Sequence, residues 1–241
     1  MLKEKYEKEI LKTNEELTIK KKLHRKDREN NELRKEIKHL SRQIKYISNP
    51  EAFYSHKYFT RHFEYMREWE MKLGKDLVDR YHIKSLVDFG CGCGSYLEGA
   101  KEAGSEVKGF ELMYDIISKI VPPETLSFIE HGDVMSPIDC GIFDCSMSIE
   151  TAEHILPENT EIFVDNLVNA SSRLIIFTAA RPGQGGTGHI NFKPKEEWIE
   201  LFNKRECLYL DEEVSITQDL WKKRLARKFR YLIRNLMIFN K

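Results

Sequence analysis

The segment LVDFGCGCG, residues 86–94, constrains the fold more than any other stretch of the chain. An apolar run ends in three glycines at alternate positions and passes directly into a helical pattern. Gly90, Gly92 and Gly94 permit positive φ and let the backbone approach a ligand closely. The turn ends at a helix N-terminus, whose unpaired N–H groups face an anionic or polar group. The dinucleotide template G-x-G-x-x-G does not fit, because counting from Gly90 puts Ser95 where its third glycine belongs.

Downstream, strand and helix patterns alternate. Strands are expected at 85–90, 106–112, 127–134, 143–149 and 173–180. Between them lie helices from about Ser95 to Ala103, through Ile116, Ile117 and Ile120 to Pro122-Pro123, and near 158–170. A glycine-rich loop, 181–191, precedes a helix around Lys195–Phe202, and 206–213 and 229–240 are two further strand candidates. This alternation predicts an α/β fold, a doubly wound parallel sheet covered on both faces, over 83–241.

Two segments precede it. Residues 1–48 lack Gly and Pro up to the Asn49-Pro50 stop and read as a helix. Leu33, Ile37, Leu40, Ile44 and Ile47 follow a 4-3-4-3 spacing, the seam of a coiled coil that would make a homodimer. Upstream, Tyr6, Ile10 and Leu17 fit one phase and Ile19 and Leu23 another, so the sustained repeat is short. Residues 51–82 carry Phe53, Tyr54, Tyr58, Phe59, Phe63 and Trp69 on a helical pattern. Most belong in a core, while Tyr54, Tyr58 or Arg61 can reach a ligand from a lid.

The formal net charge of zero hides basic ends: residues 1–47 hold 15 Lys+Arg against 9 Asp+Glu, and 221–241 hold 8 against none. The body between them is acidic. The stretch 222–234, with Lys222, Lys223, Arg224, Arg227, Lys228, Arg230 and Arg234, is either a solvated helix face or a patch for nucleic acid. Trp221, Leu225, Phe229 and Leu232 interleave at helical spacing, which favours the solvated face. Five cysteines form no CxxC pair and read as reduced thiols. A charged N-terminus and the lack of a long apolar run predict a cytoplasmic protein without a membrane span.

Acids complete the glycine turn. Asp88 stands two residues before Gly90, and Glu111, at the end of the second strand, is placed to accept both hydroxyls of a ribose. With this set the sequence resembles the class I S-adenosylmethionine-dependent methyltransferases, over roughly Tyr58 to Asn240. The resemblance implies a Rossmann-like seven-stranded sheet in the order 3-2-1-4-5-7-6 with the last strand antiparallel, and S-adenosylmethionine as cofactor. It assigns Asp133 to the adenine amino group, the adjacent Val134 N–H to the same base, and Glu150 to the methionine end.

The acceptor side rests on two loops leaving the carboxyl ends of strands, the edge where open α/β sheets bind ligands. His154 lies in one and His189 in the other; either can serve as base for an acceptor hydroxyl. Glu150, Glu153 and His154 spell E-x-x-E-H, similar to the metal motif of small-RNA 3′-terminal 2′-O-methyltransferases and ubiquinone-pathway O-methyltransferases. In those families a later residue completes a divalent site, and His189 can do so here, although metal-free members share the motif. The loop with His189 and Asn191 resembles the acceptor-side loop of small-molecule and sugar methyltransferases, which implies that both residues contact substrate. The expected function is O-methylation of a small-molecule or saccharide hydroxyl. The alternatives are a metal-assisted RNA 2′-O-methyltransferase and a coiled-coil scaffold carrying a vestigial methyltransferase fold. The Asn/Asp-Pro-Pro-aromatic signature of enzymes that methylate base amino groups is absent after the fourth strand.

Overall fold

The computed structural model describes residues 21–38, 40–41, 44–45, 54–224 and 229–241. Readings that fall on Tyr6, Ile10, Leu17, Ile19, Ile47, Asn49-Pro50, Phe53, Leu225, Arg227 and Lys228 lie outside the described residues. The chain divides into two units, Met1–Ile47 and Ser48–Lys241. In the first, helix α1 covers residues 21–38 and continues through 40–41 and 44–45, with every described side chain exposed.

The second unit opens with α2 (His56–Tyr81), whose N-cap Ser55 accepts from Tyr58 N at 3.3 Å and which ends at His82 in the left-handed region. Among the described residues seven strands follow: β1 (Ser85–Phe89), β2 (Glu106–Glu111), β3 (Ile129–His131), β4 (Phe143–Ile149), β5 (Ser171–Thr178), β6 (Leu208–Tyr209) and β7 (Met237–Asn240). Their order is β3-β2-β1-β4-β5-β7-β6. β1 to β5 are parallel, and β7 runs antiparallel to both β5 and β6.

Strands buried on both faces read as continuous apolar runs. In β5, Leu174 and Ile176 enter one core while Ile175 and Phe177 enter the other. The first core lies under α2, α3 (Ser95–Glu102), α8 (Asp211–Arg224) and α9 (Arg230–Asn235), with Leu73, Leu77, Leu97 and Trp221 buried. The second lies under α6 (Thr160–Ala170) and α7 (Lys195–Asn203), around Phe163, Trp198 and Phe202. Two one-turn helices, α4 (Tyr114–Ile117) and α5 (Pro123–Leu126), connect β2 to β3. α2 and α3 meet backbone to backbone. A Cβ on Gly74 would overlap the Tyr96 carbonyl, and one on Gly99 the Met71 carbonyl.

The terminal strand candidates need correction. Only Leu208–Tyr209 of 206–213 is strand, because Asp211, Glu212 and Glu213 form the first turn of α8, where carboxylates favour a helix N-terminus. Half of 229–240 is helix, Arg230–Asn235; Leu232, Ile233 and Leu236 are buried at helical spacing, and the strand is the last four residues of that segment. Lys222, Lys223, Arg230 and Arg234 are exposed beside buried Trp221, Phe229 and Leu232, the arrangement of a solvated face. All five cysteines are free. Among the described residues no helix is long and apolar enough to cross a membrane.

Candidate functional site

The site forms where the carboxyl ends of β1, β2, β4 and β5 open into loops. At the end of β1, Gly90, Gly92 and Gly94 adopt φ of +80°, +54° and +74°. Gly90 has a second reason to lack a side chain, since a Cβ there would overlap Thr151, whose hydroxyl donates to the Gly90 carbonyl at 3.2 Å. Open space lies over Gly92, so the turn presents bare backbone. α3 starts at Ser95 with no side-chain cap at Gly94.

Two buried polar atoms converge on this turn without hydrogen-bond partners among the described residues, Asp88 Oδ1 and Ser95 Oγ. Burial pushes the Asp88 carboxyl well above its usual range, reinforced by the charges of Glu111 and Glu70. Glu111 is aimed by the turn itself: Gly92 N donates to Oε2 and Met113 N to Oε1, both at 2.9 Å. Burial raises its pKa too, and those two N–H groups oppose the rise. Beyond β3, Asp133 Oδ1 accepts from Met135 N at 2.9 Å and closes the turn, while the Val134 side chain is buried. Asn166 on α6 braces this loop by donating to the Val134 and Ser136 carbonyls at 3.1 and 2.9 Å.

The second cluster lies past β4. Glu150 is held at φ +52°, a conformation non-glycine residues seldom adopt outside functional or tightly constrained positions. Its N–H donates to Thr178 Oγ1 at 2.9 Å. Its carboxylate accepts from Asn235 Nδ2 at 2.9 Å and Gln184 Nε2 at 3.2 Å, so the loop after β5 and the end of α9 both meet it. Glu153 is completely buried, and among the described residues neither carboxylate oxygen has a hydrogen-bond partner. Burial, then the neighbouring charge of Glu150, drive its pKa well up.

His154 and His189 flank Glu153. Their rings stand edge to face with centroids 4.8 Å apart, and His189 Nε2 lies 3.8 Å from Glu153 Oε1. One ligand atom from each of the three residues falls within 4.8 Å of the others. Burial and then the charge of His189 lower the His154 pKa to about 3, so its imidazole is neutral. Tyr54, just ahead of α2, bonds His154 Nδ1 through its hydroxyl at 2.6 Å. Gly188 is required beside that pair, since a Cβ would press on the Tyr54 hydroxyl, and a Cβ on Gly186 would run into the His189 ring. The backbone N–H groups of Ile190 and Asn191 donate to the Glu153 carbonyl at 2.8 and 3.0 Å, fastening the β5 loop to the β4 loop.

The fold thus brings Asp88, the three glycines and Glu111 together where β1 and β2 end, and Glu153, His154 and His189 together where the loops after β4 and β5 meet. Glu150 faces Gln184 and Asn235 instead of the two histidines. Asn191 is 2% exposed, and its amide donates to the Ala152 carbonyl and Thr160 Oγ1, so its side chain braces the fold. Tyr58 and Arg61 are exposed on α2. Sequence reading missed Asn235, Gln184 as a partner of Glu150, and the buried Glu70, which bonds His62 Nε2 at 2.8 Å. An acid on the apolar face of a helix, one turn from both Met66 and Leu73, was the signal for Glu70.

No protein-family model matches the chain, and neither does any curated protein. Solved structures do. CalS10 with bound S-adenosylmethionine, an amino pentose methyltransferase of calicheamicin biosynthesis from Micromonospora echinaspora, is 15% identical. The match covers 71% of this chain and 91% of that one, with a TM-score of 0.53. An O-methyltransferase of a Brevibacillus brevis trans-AT polyketide synthase, in complex with S-adenosylhomocysteine, is 15% identical over 71% of this chain and 70% of its own, TM-score 0.48. DesVI of Streptomyces venezuelae is 17% identical over 48% of this chain and 54% of its own, TM-score 0.42, so the match spans about half of that protein. The likeness to CalS10 and the strand order establish the fold, which is the Rossmann-like fold of S-adenosylmethionine-dependent methyltransferases.

Proposed function

We propose that this chain is an S-adenosylmethionine-dependent methyltransferase that methylates a hydroxyl of a small molecule or saccharide. The observation that carries the reading is the pair of unpartnered buried atoms, Asp88 Oδ1 and Ser95 Oγ, beside three positive-φ glycines at the start of a helix. Buried polar atoms without partners are costly, and a ligand with polar groups would satisfy both. The donor set fits the cofactor. Glu111 retains lone pairs for ribose hydroxyls, Asp133 and the Val134 N–H stand for the adenine, and Asp88, the Gly90–Gly94 turn and Glu150 for the methionine end.

The bound cofactor supplies an electrophilic methyl on a sulfonium. The protein's contribution is mainly to hold the acceptor oxygen in line, which supplies most of the acceleration in such a displacement. His189 and Glu153 line the place where that oxygen would sit, and Tyr54 fixes the His154 ring. An imidazole as weakly basic as that of His154 takes little proton from an unaided hydroxyl, which leaves His189 as the candidate base. A saccharide acceptor draws support from CalS10, whose own acceptor is an amino pentose.

The unpartnered Glu153 carboxylate favours a second reading, in which Glu153, His154 and His189 hold a divalent cation. One carboxylate and two imidazoles suit such an ion, and a cation there would acidify the acceptor hydroxyl.

One experiment tests both readings. A panel of small hydroxyl acceptors and RNA is incubated with labelled cofactor, with and without chelator, beside calorimetry of cofactor binding. The expected result is cofactor binding that weakens about tenfold or more in Asp88→Ala and Glu111→Ala, with label transferred to a small acceptor. Absence of binding returns the scaffold reading. Activity surviving exhaustive chelation removes the cation, and transfer to RNA alone, steeply lost with salt, moves the acceptor to nucleic acid.

A further inference from the structure

Helix α1 bears an exposed apolar stripe: Leu23, Leu33, Ile37, Leu40 and Ile44 are 56%, 54%, 62%, 49% and 65% exposed. In the heptad that fits Leu33 through Ile44, Ile37 and Ile44 take the a position and Leu33 and Leu40 the d position. Leu23 lies fourteen residues before Ile37, and is therefore also at a. It belongs to the same seam and does not start another phase. The repeat thus runs through three heptads of described helix, and Ile19 and Ile47 extend it in the sequence.

Three features of this seam identify its occupant. Ile at a with Leu at d favours two parallel strands. The a position between Leu23 and Ile37 is Asn30, and a single polar a residue specifies register and two-stranded assembly by pairing with its own copy. Each charged g residue that faces a charged e residue of a parallel partner, five positions on, meets the opposite sign: Lys22 with Asp27, and Glu29 with Arg34. The i,i+4 contact of Arg25 with Glu29 at 3.5 Å keeps the Glu29 side chain on that flank. Lys26, the one charged d residue of the described helix, has a methylene stem that can lie along the seam while its ammonium reaches water.

We propose that α1 forms a parallel, in-register, two-stranded coiled coil with a second copy of this chain. The test uses the full-length protein and light scattering. The expected mass is twice 28.5 kDa, falling to 28.5 kDa in the Ile37→Asp/Leu40→Asp variant with the main thermal transition unchanged. Charge reversal gives a finer test. Glu29→Arg alone sets two guanidinium groups against each other across the seam, and Arg34→Glu alone sets two carboxylates, so each weakens the dimer by about tenfold. Mixed in equal amounts, the two variants should pair with near-native affinity, since every such contact becomes like that of one native flank or its mirror between unlike copies only. A wild-type chain that stays monomeric at its highest soluble concentration overturns the proposal. So does a trimer, a dimer indifferent to Ile37→Asp/Leu40→Asp, or a mixture no stronger than its components.

Discussion

Tyr54 shows what one side chain can do when three segments converge on it. Its hydroxyl bonds His154 across 100 residues of sequence and takes the space a Cβ on residue 188 would need. Tyr54→Phe keeps the ring and removes the bond, at a cost of about 1 kcal/mol in the orientation of His154. Turnover should fall roughly fivefold to tenfold, while calorimetry finds cofactor binding unchanged, because Asp88 and Glu111 stand on β1 and β2 while Tyr54 bonds the loop after β4. Equal losses in both would show that Tyr54 supports the whole site. Asp88, the glycines and Glu111 were legible in the sequence because local backbone geometry dictates them: a sharp turn needs glycine, and an acid at a strand end points to the ligand edge. The Glu150–Asn235 bond spans 85 residues and depends on how α9 docks, which no local pattern encodes.

Among the elements, the pairing of α2 with α3 does most to aim the glycine turn. The two helices touch through Gly74 and Gly99 with no room for a methyl. Gly99→Val would push α3 away from α2, costing about 3 kcal/mol and lowering Tm by roughly 10 °C. Gly185→Ala, where a Cβ meets nothing within 4 Å, should leave Tm unchanged in the same calorimetric scan. Most element boundaries followed the period of the apolar residues, and they failed where two signals overlapped. In ECLYLDEE the apolar alternation predicts a strand, but its last three residues, all acids, are the first turn of α8. In FRYLIRNLMIFN a helical stretch and a strand share one apolar run, and only packing divides them at Leu236.

At the scale of the molecule, the strand order expected from the resemblance is the observed one, β3-β2-β1-β4-β5-β7-β6. What the sequence obscured was how little chain completes it. Among the described residues β6 pairs with β7 alone, and β7 fills the place beside β5 with residues Met237–Asn240. A chain shortened after Leu236 would leave the β5 edge open and strand β6. Expressed side by side with the intact protein, it should be found in the insoluble fraction, since bare strand edges template aggregation. During synthesis the five parallel strands leave the ribosome long before their neighbour, so β5 waits with an open edge while residues 179–236 are still being added. A sheet built in that order can close only when Met237–Asn240 arrive beside β5.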